Sequence, residues 1–486
     1  MSATPFLRAQ GLGFAYPSSA PLLEDLTFHL TPGWTGLVGA NGAGKTTLLR
    51  LIRGELRATS GHLKVEGRVT WCPQRVETLD ADLETFAWAA DGLARKLQGR
   101  LRLEPTELER WPTLSPGERK RWQLGAALWS EPEVLLLDEP GNHLDVEGLG
   151  LLRAALRDYR GVGVIVSHDR ALLDDVTKAT LRLVDGTARL WPQPFSQARA
   201  AWLDEEASAR TAQRETRRQL QKEERKLDAK RRTLASSEAQ RSTGQRMKHR
   251  NDSDARTLGA NFRAEMAEMA HAATLRRVER KAGAVREQLE AIHVRDEAGQ
   301  ALFLKYEPSP KKTLVQFSGD VVLPDGTVLV KDVALQVSRG EHVWLQGPNG
   351  RGKSTLLRAV APPGERVLLL PQELSLDETR ADLEVVKGLP PEERGRVLQL
   401  VHALGVEPDQ LLSSVAPSPG EGRKLRLALG LGRHAWLAIL DEPTNHLDLP
   451  AIERLEAALR DFPGALLLVT HDAQLGAAVC NRTVTL

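Results

Sequence analysis

Two eight-residue strings in this 486-residue chain have the composition of a phosphate cradle: Gly39-Ala-Asn-Gly-Ala-Gly-Lys-Thr46 and Gly347-Pro-Asn-Gly-Arg-Gly-Lys-Ser354. Phosphate needs backbone N–H groups at close range. Glycine permits that approach, and a helix that follows offers its positive N-terminal end. The candidate cradles are Gly39, Asn41, Gly42 and Gly44, and then Gly347, Asn349, Gly350 and Gly352. Lys45 and Lys353 would reach the β- and γ-phosphates of a nucleotide. Thr46 and Ser354 would place a hydroxyl on Mg²⁺, with Thr47 and Thr355 beside them.

Downstream of each string an apolar run ends in Asp-Glu, at Asp138-Glu139 and Asp441-Glu442. A carboxylate at a strand end can hold the Mg²⁺ shell through water. The glutamate after it is placed to orient or polarise an attacking water. His168 and His471 end later apolar runs and could contact the γ-phosphate. Ser115, in Leu114-Ser-Pro-Gly-Glu118, has the spacing of an N-cap with a capping box. Ser115 and Gly117, with Ser418 and Gly420 in the other half, also suit a second phosphate contact at a helix start.

These pairs recur because the chain is an internal duplication. Lys45 to Lys353 is 308 positions, Gln74 to Gln372 is 298, and Ser115 to Ser418, Asp138 to Asp441 and His168 to His471 are each 303. A period near 300 means two whole domains rather than a solenoid. Within each copy, apolar strands alternate with helical stretches, which implies a mainly parallel α/β core. The reading places domain one at 1–196, a linker at 197–306 and domain two at 307–486.

The linker is rich in Arg, Lys, Glu, Gln and Ala, the composition of long helices. Leu275, Val278, Ala282, Val285, Leu289 and Ile292 alternate spacings of three and four, as do Phe262, Met266, Met269 and Ala273. Leu220, Leu227 and Leu234 repeat every seven. That predicts two long antiparallel helices in a coiled coil. The expected polar tip lies near 236–258, around Ser236, Ser237, Ser242 and Asn251.

The formal net charge is +2, from 66 Lys+Arg against 64 Asp+Glu, which excludes a uniformly basic coat. The charge is unevenly placed. Residues 207–293 carry 21 Lys+Arg and 12 Asp+Glu. Lys230, Arg231, Arg232, Arg241, Arg246, Lys248 and Arg250 face Glu238 alone as an acidic neighbour. Such a cluster is either a solvated helical surface or a phosphate-binding tip that carries little sequence information. Two cysteines, Cys72 and Cys480, make no disulfide framework, and a reducing cytoplasm is expected. No apolar run approaches the length of a membrane span, and no secretory signal is seen.

Together these motifs resemble the ATP-binding cassette family: Walker A loops, Q-loop glutamines Gln74 and Gln372, signature loops, Walker B strands, D-loops and H-switch histidines. Two cassettes on one chain with a charged helical linker resemble the ABC-F subfamily, and Asp441-Glu-Pro-Thr-Asn-His-Leu-Asp448 is especially similar to it. The resemblance implies P-loop ATPase domains that bind ATP and Mg²⁺, the metal held by Thr46, Gln74 and Asp138, and by Ser354, Gln372 and Asp441. It implies head-to-tail packing, with site one completed by Ser418 and Gly420, and site two by Ser115 and Gly117. Tyr16 stands where the family stacks an aromatic ring on adenine, and Leu323 is its counterpart. Departures are Pro116 and Pro419 in the signatures, Pro417 before the second, and Gly141 where Thr444 stands in the other D-loop.

The expected function is an ATP-gated clamp, a monomer whose cassettes pair within one chain. It would bind the ribosome, contact rRNA and P-site tRNA through the linker, and modulate or rescue translation, ribosome-protection antibiotic resistance included. The alternative is a DNA-associated, repair-type ATPase using the same basic linker. An energy subunit of a transporter fits poorly, because only 41 positions separate Gln74 from Ser115, little room for a subdomain that docks a membrane partner.

Overall fold

The computed structural model describes residues 4–17, 19–142, 144, 146–242, 254–291, 303, 306–323, 326–348, 350–364, 366–414, 417–445 and 447–486. It divides into two compact units, Met1–Ala198 with Glu297–Leu486, and Arg199–Asp296. The first holds both copies of the duplication; the second is the linker.

Copy one contributes β1 (Phe6–Phe14), β2 (Leu23–Leu30), β3 (Gly33–Gly39), β4 (Ser60–Glu66), β5 (Val69–Cys72), β6 (Val134–Asp138), β7 (Val162–Val166), β8 (Ala179–Val184) and β9 (Thr187–Trp191). Its main sheet has the order β5-β6-β7-β3-β8-β9, parallel except for β9. An antiparallel sheet, β2-β1-β4, accompanies it. Val134 to Leu137 are fully buried, as a continuous apolar run in a parallel strand requires.

Copy two contributes β10 (Thr313–Val322), β11 (Val328–Ser338), β12 (His342–Gln346), β13 (Val367–Leu370), β14 (Leu437–Asp441), β15 (Ala465–Val469) and β16 (Arg482–Thr485). Its parallel sheet runs β13-β14-β15-β12-β16, beside the hairpin β10-β11. The hairpin registers match between copies. Phe14 pairs with Leu23 and Leu12 with Leu26, while Val321 pairs with Val330 and Gly319 with Val333. That one offset of 307 carries Tyr16 onto Leu323.

Each signature loop opens a helix, Pro116–Trp129 or Pro419–Gly432. Ser115 and Ser418 are N-caps with complete capping boxes to Glu118 and Glu421. Trp122, fully buried, donates from Nε1 to Glu107 Oε2 at 3.0 Å and fixes the first of these helices in its subdomain.

The linker unit is built on two helices, Phe195–Ser242 and Asp254–Ala291. They run antiparallel. Arg231 pairs with Glu279 at 3.0 Å, and seven residues back on the first helix Glu224 pairs with Arg286, seven residues on along the second, at 2.8 Å. Ala282 and Val285 are buried in the seam with Leu220. Glu223 is buried there too, 2.8 Å from Lys226 and 3.5 Å from Lys281.

Two expectations are corrected. Met266 and Met269 are exposed, at 54% and 62%, not seam residues. Both side chains stand off the buried seam that Ala282 and Val285 form. Of the expected tip near 236–258, residues 236–242 continue the first helix and 254–258 belong to the second, while 243–253, with Asn251, lie outside the described residues. Serine is only a modestly poor helix former, and Leu234, Ala235, Glu238, Ala239 and Gln240 support the turn around it. Among the described residues no helix is long and apolar enough to cross a membrane, and Cys72 and Cys480 are free thiols.

Candidate nucleotide site

Each glycine-rich loop joins a central strand to a helix. β3 ends at Gly39 and leads through the loop to helix Lys45–Arg53, while β12 leads through Gly347 to helix Lys353–Val360. The N-caps are Gly44 at φ 94° and Gly352 at φ 79°. Glycine is favoured there because the backbone is left-handed, and a Cβ would also press a leucine methyl 2.8 Å away, Leu23 or Leu329. Lys45 Nζ spans its own loop, donating to Gly39 O at 2.8 Å and Ala40 O at 3.0 Å. Lys353 does the same with Gly347 O at 2.7 Å and Pro348 O at 2.9 Å. Gly42 and Gly350, also at positive φ, sit at the turns of these loops. Asn349 lies outside the described residues.

Thr46 and Thr47 follow in the first turn, Thr46 turned to solvent and Thr47 buried. Ser354 and Thr355 occupy the same turn of the second copy and are half-buried. Thr46 Oγ1 donates to Asp138 Oδ2 at 3.2 Å, and Ser354 is hydrogen-bonded to Asp441. Burial pushes both aspartate carboxyls up, and these hydroxyls pull them back. A hydroxyl and a carboxylate side by side suit Mg²⁺, a hard cation that takes one or two protein oxygens and keeps its remaining positions for water and phosphate.

The glutamates are the most constrained residues of the site. Glu139 and Glu442 have φ of 48° and 47°, the left-handed region that side chains avoid. That turn lets Glu139 N donate to Val166 O and Glu442 N to Val469 O, each at 2.9 Å. Both carboxyls are buried, and their Oε1 atoms have no hydrogen-bond partner among the described residues. Burial pushes Glu442 up to about 8 and drives Glu139 in the same direction. His168 N donates to Glu139 Oε2 at 3.3 Å, and His471 N to Glu442 Oε2 at 3.2 Å. His168 Nε2 lies 3.2 Å from Glu139 Oε1, and burial pulls this imidazole down to about 3, so it is neutral.

A cleft of about 950 Å³ opens between the two cassettes. Its wall takes Asn41, Gly42, Gly44, Lys45, Thr46, Thr47, Gln74, Asp138, Glu139 and His168 from copy one. From copy two it takes Gln372, Gly420, Glu442 and His471. Gly420 of the second signature therefore shares a wall with the first phosphate loop. Pro116 stands for the first signature there, whereas Ser115, Gly117 and Ser418 lie off the wall. So do Lys353, Ser354, Thr355 and Asp441. Tyr16 stands beside the first loop, its ring edge-on to Phe14 at 4.9 Å and its hydroxyl 3.2 Å from Thr47 Oγ1.

Three further groups of residues hold this arrangement, none of which the sequence assigns a role at the site. Lys120 Nζ donates to Pro73 O at 2.5 Å and reaches Gln74 O and Asp138 O at 3.5 and 3.4 Å. Its counterpart Arg423 donates to Pro371 O, Gln372 O, Asp441 O and Glu442 O at 2.7, 2.6, 3.1 and 2.8 Å. Both cations are buried. Their signal in the sequence was a basic residue at the same register, 303 apart, inside the signature helices. Asp448 caps its helix through Ala451 N and also accepts Asn41 N at 2.6 Å, joining the second D-loop to the first phosphate loop. Arg170 forms a further bridge between the cassettes, to Glu456 and Asp472.

In the linker, Lys230, Arg231 and Arg232 are exposed, and Arg231 is engaged with Glu279. Arg241 lies on the last helical turn, and Arg246, Lys248 and Arg250 lie outside the described residues.

The family model described as ABC transporter matches residues 23–142 and 330–445. The tylosin resistance ATP-binding protein TlrC of Streptomyces fradiae is 32% identical over 526 residues, covering 93% of this chain and 92% of that protein. The ribosome protection protein VmlR of Bacillus subtilis is 29% identical over 466 residues, covering 90% and 78%. Among solved structures, an RNase-L inhibitor superposes with a TM-score of 0.59 at 18% identity, over 98% of this chain and 87% of that one, a likeness of fold.

Proposed function

Because the chain belongs to the ABC-F subfamily of ATP-binding cassette proteins, we propose that it is an ATP-driven clamp that acts on the ribosome. The observation that carries the ATPase half is the cleft, on which one phosphate loop, an Asp-Glu pair, a histidine and the opposite signature glycine converge. The ribosomal half is supported by relatives whose names state ribosome protection and resistance to tylosin, together with the excess of cationic residues in the linker.

In this reading the backbone amides of residues 41–46 and the Lys45 ammonium hold the β- and γ-phosphates, the lysine exchanging its two carbonyl acceptors for phosphate oxygens. Thr46 and Asp138 would hold Mg²⁺, aided by Gln74, and the ion would supply charge neutralisation on the phosphate oxygens. Glu139 Oε1 accepts a proton from the attacking water as the water oxygen bonds to the γ-phosphorus and the bond to ADP breaks. A base whose carboxyl is raised toward neutrality by burial is suited to take that proton near physiological pH. His168, held neutral, orients the carboxyl from 3.2 Å away. Gly420 and Ser418 close over the γ-phosphate from the other cassette. Site two uses Lys353, Ser354, Asp441, Glu442 and His471 with Ser115 and Gly117.

ATP binding closes the cassettes and hydrolysis reopens them, because only the closed state makes the signature contacts. The charged helical unit carries that change to ribosomal RNA. The test is capture from lysate with Glu139→Gln/Glu442→Gln and ATP. Ribosomal RNA and proteins should be retained only with ATP. Retention of DNA alone, indifferent to nucleotide, would instead support the DNA-associated reading.

A further inference from the structure

The duplication is nearly symmetric, but the ion pairs between its halves are not. Arg170 is buried, with 4% of its surface exposed, and spans the cassettes. Its Nη1 donates to Glu456 Oε2 at 2.8 Å and its Nη2 to Asp472 Oδ2 at 3.0 Å. Symmetry would require the same bridge from position 473 to positions 153 and 169. Position 473 is Ala473, an exposed methyl, and position 153 is Arg153. Arg153 lies 3.7 Å from Asp169 of its own cassette. The mirror bridge is chemically impossible in this chain.

Asp472 is not a bystander. Its Oδ1 caps the following helix by accepting Gln474 N and Leu475 N at 2.9 and 3.0 Å, and Oδ2 takes Arg170. It directly follows His471, whose backbone N–H donates to Glu442 Oε2. Arg170 of cassette one thus holds the loop that positions the histidine and glutamate of cassette two. Asp169, the corresponding cap before helix Arg170–Val176, has its arginine neighbour, Arg153, in its own cassette.

We propose that Arg170 is a one-way tether: on closure it positions the His471–Asp472 loop of site two from across the interface, and leaves site one to close without an equivalent. This rests on the reading that both sites turn over ATP. The tether makes the two sites inequivalent in a fixed direction. The glutamate–histidine contacts form within each cassette, Glu139 with His168 and Glu442 with His471, but only the second histidine loop is held by a buried arginine from the other cassette.

The test uses the full chain in two backgrounds, Glu139→Gln, which leaves only site two to hydrolyse, and Glu442→Gln, which leaves only site one. Arg170→Ala should lower ATP turnover at least about tenfold in the first background, since misplacing a catalytic group by about 1 Å can cost about a hundredfold. It should change the second by less than about twofold. Arg170→Lys, which keeps the cation, should recover part of the loss. Amide hydrogen exchange of the ATP-bound chain supplies a readout independent of turnover: residues 470–476 should exchange about tenfold faster in Arg170→Ala, and residues 167–173 should not. Equal loss in both backgrounds, or unchanged exchange at 470–476, overturns the tether. Absence of turnover in both backgrounds with Arg170 intact overturns the ATPase reading instead, and the exchange measurement still decides the tether.

Discussion

Replacing Lys120 and Arg423, buried cations at equivalent positions of the signature helices, should separate the cassettes by stability. Arg423→Met removes a guanidinium that satisfies four main-chain carbonyls, two from the Gln372 loop and two from the strand end at Asp441 and Glu442. Those carbonyls are left facing an apolar side chain. Each buried carbonyl left without its donor costs about 1–3 kcal/mol, so the loss of four should amount to at least about 3 kcal/mol. Lys120→Met removes one short bond, 2.5 Å to Pro73 O, and two contacts of 3.4 and 3.5 Å that sit at the limit of hydrogen bonding. Its cost should be smaller, about 1–3 kcal/mol. Urea unfolding followed by tryptophan fluorescence reads both, with Trp344 and Trp436 reporting on the second cassette. Lys120→Arg, which can copy the four-carbonyl pattern, should not destabilise. Both Met variants should also slow turnover, since the carbonyls belong to the loops bearing Gln74, Glu139, Gln372 and Glu442. Equal stability losses at the two positions, or unchanged turnover, would show that these cations do not hold the catalytic walls.

Leu323→Tyr should tighten ATP binding at site two, and Tyr16→Leu should weaken it at site one, each by about 1 kcal/mol or roughly fivefold. Fluorescent-nucleotide titration in single-site variants checks this; equal affinities of the unaltered sites would end the argument. Gly44→Ala and Gly352→Ala should abolish nucleotide binding at their own sites, because each Cβ would sit 2.8 Å from a leucine in left-handed backbone. Burial pushes the Cys480 thiol up to about 12. Its thiolate fraction at pH 8.5 is then below about one in a thousand, so iodoacetamide should label it only on unfolding, as mass spectrometry would show.

The chemistry of the site was largely legible in the amino-acid order. Backbone cradles, metal-facing hydroxyls and carboxylates at strand ends depend on local spacing, and the duplication repeats that spacing in register. The helical seam at Ala282 and Val285 was legible for the same reason. Spacing says which residues share a face, but not whether that face is covered, and Met266 and Met269 are exposed. Lys120 and Arg423 stayed hidden because their partners are main-chain carbonyls in distant loops, which have no side-chain identity to read. The Arg170 bridge joins positions about 300 apart and rests on a difference between copies, whereas the recurring motifs carry only what the copies share. Positive φ at Glu139 and Glu442 has no local signal, since glutamate is an unfavourable residue for it.

That last feature sets a limit on how this chain can be improved. A glutamate in left-handed backbone costs on the order of 1–3 kcal/mol, and burial of its carboxyl adds to that. Glycine or asparagine would relax the turn at either position and remove the carboxyl as well. A thermostability selection run without a functional screen should therefore enrich Glu139→Gly, Glu139→Asn and their Glu442 equivalents. The most heat-resistant descendants would be the ones unable to complete a cycle: durability and turnover compete for the same two residues.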